Sequence, residues 1–218
     1  DFLGMKTKPP RNDLEKREKY EWCNTWWEDA NDRSKPRVLL IGDSIAVGYR
    51  PYVSEMLKAY ARVDMYASSR GLDDPAYEKE LLLLLSEYAY SVIHFNNGLH
   101  GMHLSQEEYR RDLEGALRVI LLAQPGAKII AATSTPVTLD GQPGELNDKV
   151  NANVVKRNVA VIEAAEKLGI EVNDLYGPML GRSEYRLPDG YHYNADGQKR
   201  QAERVAGAIK RAMAEIAL

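Results

Sequence analysis

With a single cysteine, Cys23, in 218 residues, the chain cannot close an internal disulfide or build a structural zinc site from several thiolates. No apolar run exceeds the five leucines at 81–85. A membrane-spanning helix needs roughly 20 such residues, so no membrane partner is expected. An excess of basic charge is missing too. Twenty-nine Lys and Arg stand against 32 Asp and Glu, a net charge of −3, and the basic clusters at 11–19 and 199–204 are interleaved with acids. A phosphate backbone needs a basic surface, so no nucleic-acid partner is expected. Repeats, low-complexity stretches and a recognisable signal peptide are absent. The chain nevertheless opens on Asp1 rather than Met, and a secreted or periplasmic protein is expected over a cytoplasmic one.

What is there suits one α/β domain. Hydrophobic residues make up 44% and charged residues 28%, and the length allows a core that needs no metal or disulfide staples. Two parts are expected, an N-terminal arm at 1–35 packing on a domain at 36–218. The arm is polar, holds Pro9 and Pro10, and carries all three tryptophans, Trp22, Trp26 and Trp27. Trp22 and Trp26 are four apart and on a helix would share a face. Such a pair either pins the arm onto the domain or offers a platform on which a sugar stacks.

From residue 37 onwards, short apolar runs alternate with helical patterns. Strands are expected at 37–41 (RVLLI), 62–66, 91–95 (SVIHF), 128–133 and 170–173. Helices are expected at 49–60, 75–88, beyond the capping box Ser105-Gln-Glu-Glu108, at 150–168 ending on Gly169, and at 195–216. Strands alternating with helices predict βαβ units, hence a parallel sheet covered on both faces. Ligands bind such sheets beyond the carboxyl ends of the strands, and polar, glycine-containing segments fall just there.

Gly42-Asp43-Ser44 follows the first strand. Ser44 there either caps a helix or projects a nucleophilic hydroxyl into the crevice. The Gly-x-Ser-x-Gly elbow of α/β-hydrolases is excluded, because position 46 is Ala. Asp189-Gly190-Tyr191-His192 precedes the last helix. It is either a turn with a surface histidine or a base pair in which a carboxylate orients the imidazole that activates a serine. Gly71 after the second strand and Asn97 after the third are candidate oxyanion donors, with Asn96 as the fallback; both segments also read as plain turns. His100 and His103, three residues apart with no third ligand in view, are thin grounds for a metal site, and no metal is expected.

Together these segments resemble the SGNH (GDSL-like) hydrolases. Gly42-Asp43-Ser44 looks like the family's opening block, Arg70-Gly71 its second, Asn97 the Asn of its third, and Asp189-x-x-His192 its fifth. The third block departs from the family's Gly-x-Asn-Asp, reading Phe95-Asn96-Asn97-Gly98 here. The resemblance implies a three-layer α/β/α sandwich around a five-stranded parallel sheet, flavodoxin-like, with 36–218 as the catalytic domain. It implies a serine esterase needing no cofactor, with Ser44, Asp189 and His192 as catalytic triad. The N–H groups of Ser44 and Gly71 and the amide of Asn97 would form the oxyanion hole. Asp43, Arg70, Asn96, His100 and Tyr191 are expected to touch the substrate. Polar and aromatic loops around the site (Arg70, Asp73, Asp74, His100, Tyr185, Tyr191, Tyr193) suit a hydroxyl-rich ester, a small molecule or an oligosaccharide, with a short acyl group, acetyl above all. A lipase, thioesterase or arylesterase of the same superfamily, or a carbohydrate-binding domain without catalysis, remains the alternative.

Overall fold

The computed structural model describes residues 17–216. The first sixteen residues, with Pro9, Pro10 and most of the first basic cluster, lie outside the described residues. The elements are β1 (Cys23–Trp26), β2 (Arg37–Gly42), α1 (Ser44–Leu57), β3 (Arg62–Ser68), α2 (Pro75–Glu87), β4 (Val92–Phe95), α3 (Gln106–Ala123) and β5 (Lys128–Ala132). A hairpin of β6 (Thr138–Leu139) and β7 (Gln142–Leu146) follows, then α4 (Asp148–Leu168), β8 (Glu171–Asn173), two 3-10 turns at Gly177–Met179 and Ser183–Tyr185, and α5 (Ala195–Ile216).

Strand order is β1-β3-β2-β4-β5-β8. The five strands from β3 to β8 are parallel, in the doubly wound order of flavodoxin-like sheets. All six residues of β2 are buried. Val38 and Leu40 belong to the core under α1 and α5, while Leu39 and Ile41 belong to the core under α2, α3 and α4. This is why the strand reads as a continuous apolar run: both faces are covered. Each such side chain contributes on the order of 1.5–3 kcal/mol by leaving water. The winding of the sheet reverses at β2, with the crossovers into β3 and β4 lying on opposite faces. That switch point opens a crevice at the carboxyl ends of β2 and β4.

Three expectations need correction. The sheet has six strands rather than five, because β1 pairs antiparallel with β3 along Cys23–Trp26. The tryptophan segment is therefore an edge strand and not a helix. A separation of four is also two strand periods, so Trp22 and Trp26 still share a side. Trp22 packs on the α1/α5 core, and the Trp26 ring lies 4.6 Å from the Arg50 guanidinium of α1. Thirdly, α1 begins five residues earlier than expected. Gly48 and Pro51 obscure its pattern, but Asp43 caps it, accepting from the Ile45 N–H at 2.9 Å. The turn from β2 into α1 is tight: a Cβ on Gly42 would stand 2.6 Å from that of Ala46.

Candidate active site

Asp43 does the capping, so Ser44 does not. As the first residue of α1, Ser44 keeps a free hydroxyl and an N–H for which the helix offers no carbonyl. The loop before α5 approaches from the other end of the chain. Asp189 Oδ1 accepts the N–H groups of Tyr191 at 2.9 Å and His192 at 2.8 Å. Its Oδ2 lies 2.7 Å from His192 Nδ1, and His192 Nε2 lies 2.8 Å from Ser44 Oγ. A carboxylate only accepts, so Nδ1 carries the proton and Nε2 accepts from the serine hydroxyl. Burial works to raise the Asp189 carboxyl, but the backbone and ring N–H of His192 and the N–H of Tyr191 outweigh it and hold the group below its ordinary value. Asp189 is thus a fixed anion, and the imidazole beside it is oriented to take a proton from Ser44. The side chains of His192 and Asp189 are 41% and 48% exposed, so the pair is open to solvent.

The loop from Asp189 to His192 needs its glycine. Gly190 has φ +80°, and a Cβ there would stand 2.4 Å from the Thr138 carbonyl oxygen. The β6–β7 hairpin receives this loop: the Thr138 N–H donates to the Gly190 carbonyl and the Gly141 N–H to that of Pro188. Arg186, buried against the Tyr193 ring, donates to the carbonyls of Gly190 at 3.2 Å and Pro136 at 2.7 Å. Neither the hairpin nor Arg186 was singled out in the sequence. A short, mostly polar hairpin has little hydrophobic pattern, and a buried arginine looks like any surface arginine until its partners are placed.

Asn96 and Asn97 diverge. Asn96 turns towards β5, where its Nδ2 donates to the Ala132 carbonyl at 2.8 Å and to Ser134 Oγ at 3.1 Å, engaging both amide hydrogens. Asn97 donates one bond, to the Arg70 carbonyl at 3.1 Å. Its side chain also meets the buried Tyr77 hydroxyl.

Of the residues expected to touch substrate, three are corrected. Asp43 is 3% exposed and occupied as the cap. Burial above all pushes its carboxyl up, against the pull of His100, the helix N–H groups and His192. Arg70 points its guanidinium at Asp74 (2.9 Å) and Glu80 (3.0 Å), and Asn96 is bound as described. Tyr193 and Asp74, expected among the crevice groups, are also buried. Tyr191 is exposed. His100 donates from Nδ1 to Glu18 at 2.7 Å and sits edge-on to Trp22, 6.5 Å between ring centres. His103 donates to Asp73 at 2.9 Å. The two loop histidines thus serve different carboxylates, and among the described residues no cluster of three or more His, Cys, Asp or Glu is placed to hold a metal ion.

Residues 40–200 match the model of the GDSL-like lipase/acylhydrolase family, and the chain belongs to that family. Its fold is that of the SGNH hydrolases. An acetylxylan esterase from Xylanibacter ruminicola is 31% identical over 122 residues, 47% of this chain. The alignment spans only 24% of that relative's length. Among solved structures, a carbohydrate acetylesterase from Sinorhizobium meliloti aligns with TM-score 0.65 at 15% identity, over 81% of this chain and 99% of that one. A carbohydrate esterase family 3 protein from Talaromyces cellulolyticus aligns with TM-score 0.65 at 14% identity, over 83% and 99%. At such identities the two structures speak for the fold.

Proposed function

We propose that this protein is a serine esterase that removes acetyl groups from carbohydrates. The observation that carries the reading is the position of His192, bonded to Asp189 through one ring nitrogen and to Ser44 through the other. His192 takes the Ser44 proton as Oγ attacks the ester carbonyl. The N–H groups of Ser44 and Gly71 and the amide of Asn97 receive the oxyanion. His192 then protonates the departing sugar oxygen, and water repeats the sequence on the acyl-enzyme. Asp189 stays ionised and stabilises the imidazolium. No step calls for a cofactor.

The acetyl-carbohydrate part is supported by the activities of the relatives and by the open surroundings of His192, where Tyr191 is exposed and the His192 and Asp189 side chains are nearly half exposed. The test is acetate release from acetylated xylan and pectin fragments by wild type and by Ser44→Ala. The serine variant should keep its fold and lose turnover by roughly a thousandfold or more. Wild-type turnover in a folded Ser44→Ala protein overturns the mechanism. A preference for octanoyl over acetyl esters, or no acetate from any acetylated glycan, moves the enzyme to the lipase or thioesterase side.

A further inference from the structure

Arg157 stands at a core position of α4, three residues after Val154 and four before Val161, both buried, and is itself 0% exposed. Among the described residues no carboxylate lies within ion-pairing distance of it. Its guanidinium donates instead to three backbone carbonyls. Nη1 reaches Gly98 at 3.2 Å and His100 at 2.6 Å, and Nη2 reaches Gly101 at 2.6 Å. The guanidinium lies 4.4 Å over the ring of Tyr109, and the Tyr109 hydroxyl donates to the Asn97 carbonyl. Two side chains, one from α3 and one from α4, therefore hold the carbonyls of residues 97, 98, 100 and 101. A buried cation without a counter-charge is disfavoured by desolvation and persists only where dipoles replace water. Packing alone is met with less cost by Leu or Met.

Two links run from this clamp to the proposed oxyanion donors. Asn97 heads the clamped segment, and its side chain donates to the Arg70 carbonyl, next to Gly71. Gly101, with φ +62°, meets Gly71 backbone to backbone. A Cβ on Gly71 would stand 2.9 Å from the Gly101 Cα, and a Cβ on Gly101 2.8 Å from the Gly71 Cα. We infer that Arg157, supported by Tyr109, is the positioning residue of the oxyanion hole: one guanidinium fork that fixes the 97–101 loop and through it both the Asn97 amide and the Gly71 N–H. The inference rests on the triad and oxyanion reading above.

Arg157→Lys keeps the charge and removes the fork, since an ammonium cannot bridge the same three carbonyls in a plane. Its kcat on nitrophenyl acetate should fall roughly tenfold or more, less than the loss of a whole donor, with KM within about twofold. A trifluoromethyl ketone gives a readout that loss of packing would not move. Ser44 Oγ bonds to its carbonyl carbon, the π electrons move to oxygen as the oxyanion, and the serine proton goes to His192. Affinity for this inhibitor should fall by the same factor as kcat/KM. In an Asn97→Ala background the loss from Arg157→Lys should shrink by about threefold or more, because part of what Arg157 orients is gone. Unchanged kcat in folded Arg157→Lys, unchanged ketone affinity, or an equal loss in both backgrounds overturns the inference. If Arg157→Lys does not fold, Tyr109→Phe decides. It keeps the ring under the guanidinium and removes only the bond to the Asn97 carbonyl. A kcat fall of roughly threefold without change in KM upholds the inference, and wild-type kcat overturns it. Retained turnover in Ser44→Ala overturns the underlying reading and this inference with it. Loss of turnover there, beside an unchanged Arg157→Lys, overturns the inference alone.

Discussion

At the amino ends of β2 and β3, Arg37 and Asp64 are 4% and 0% exposed and bonded to each other twice, at 2.6 and 2.8 Å. Asp64 also accepts the Glu28 N–H, and the Arg37 guanidinium lies 4.2 Å from the Tyr88 ring. At the carboxyl ends of the same sheet, Ser44, Asp189 and His192 form an equally continuous chain of bonds, yet two of its three members are nearly half exposed. The first cluster bonds only inside the protein, with Arg37 Nη1 left without a partner, and is closed to anything else. The second is completed on the protein side only, and its outer side faces solvent. Both clusters are held by hydrogen bonds and an ion pair, and they differ in access. Two histidines repeat the contrast. His192 has an anion on one side and a hydroxyl on the other. His94, in the middle of β4, is fully buried, accepts one bond from Asn173 at 3.0 Å, and has no partner for Nδ1.

The largest effect expected on this comparison is at the open end. His192→Ala should lower kcat by roughly a thousandfold or more, while leaving the melting temperature near that of wild type, since an exposed side chain supports little of the fold. His100→Ala, in the neighbouring loop, should change mainly KM. Steady-state kinetics on a single acetyl ester checks both, and the reverse pattern would make His100 the base. At the closed end the effects should exchange places. Asp64→Asn leaves the Arg37 guanidinium buried without its counter-charge, which costs about 3–5 kcal/mol of stability. Urea unfolding should show that loss, with kcat of the folded protein within about twofold of wild type. A large fall in kcat with unchanged stability would erase the distinction between the two ends.

The smallest effect concerns His94 and is visible only in acid. Burial pulls its pKa down from 6.5 to about 4. Between those values the unfolded chain binds a proton that the folded chain refuses, so folding stability declines as pH falls through this window and is unaffected by His94 above it. The decline reaches at most about 3 kcal/mol near pH 4. Urea midpoints for wild type and His94→Gln at pH 7.5, 6 and 4.5 test this. The wild type should lose stability over the series, and the variant should lose less. Parallel curves would mean that His94 takes up its proton inside the fold.

Much of the architecture was legible because burial leaves a local record. The five parallel strands were legible from apolar runs or alternation, β2 most clearly because both its faces are covered, although β3 and β4 also bury Asp64 and His94. The cap at Ser105 and the left-handed stop at Gly169 are short-range devices and were equally readable. The segment around Trp22 and Trp26 was misread because a spacing of four satisfies a helix turn and two strand periods alike. Only the free edge of β3 decides between them. Ser44, Gly71, Asn97, Asp189 and His192 could be proposed from their places after successive strands, since the topology of a doubly wound sheet gathers those places at one edge.

What the chain alone could not decide was which polar side chains are already spent. Asp43 is spent on its own helix, Arg70 on Asp74 and Glu80, and Asn96 on the end of β5. Arg157 carries no mark in the sequence beyond being an arginine on an apolar helix face. Its three carbonyl partners lie 56 to 59 residues away, and His192 meets Ser44 across 148. Sequence patterns record what a residue does to its immediate neighbours in the chain. Hydrogen bonds between loops depend on distances set by the packing of helices on the sheet, and those exist only once the fold has closed.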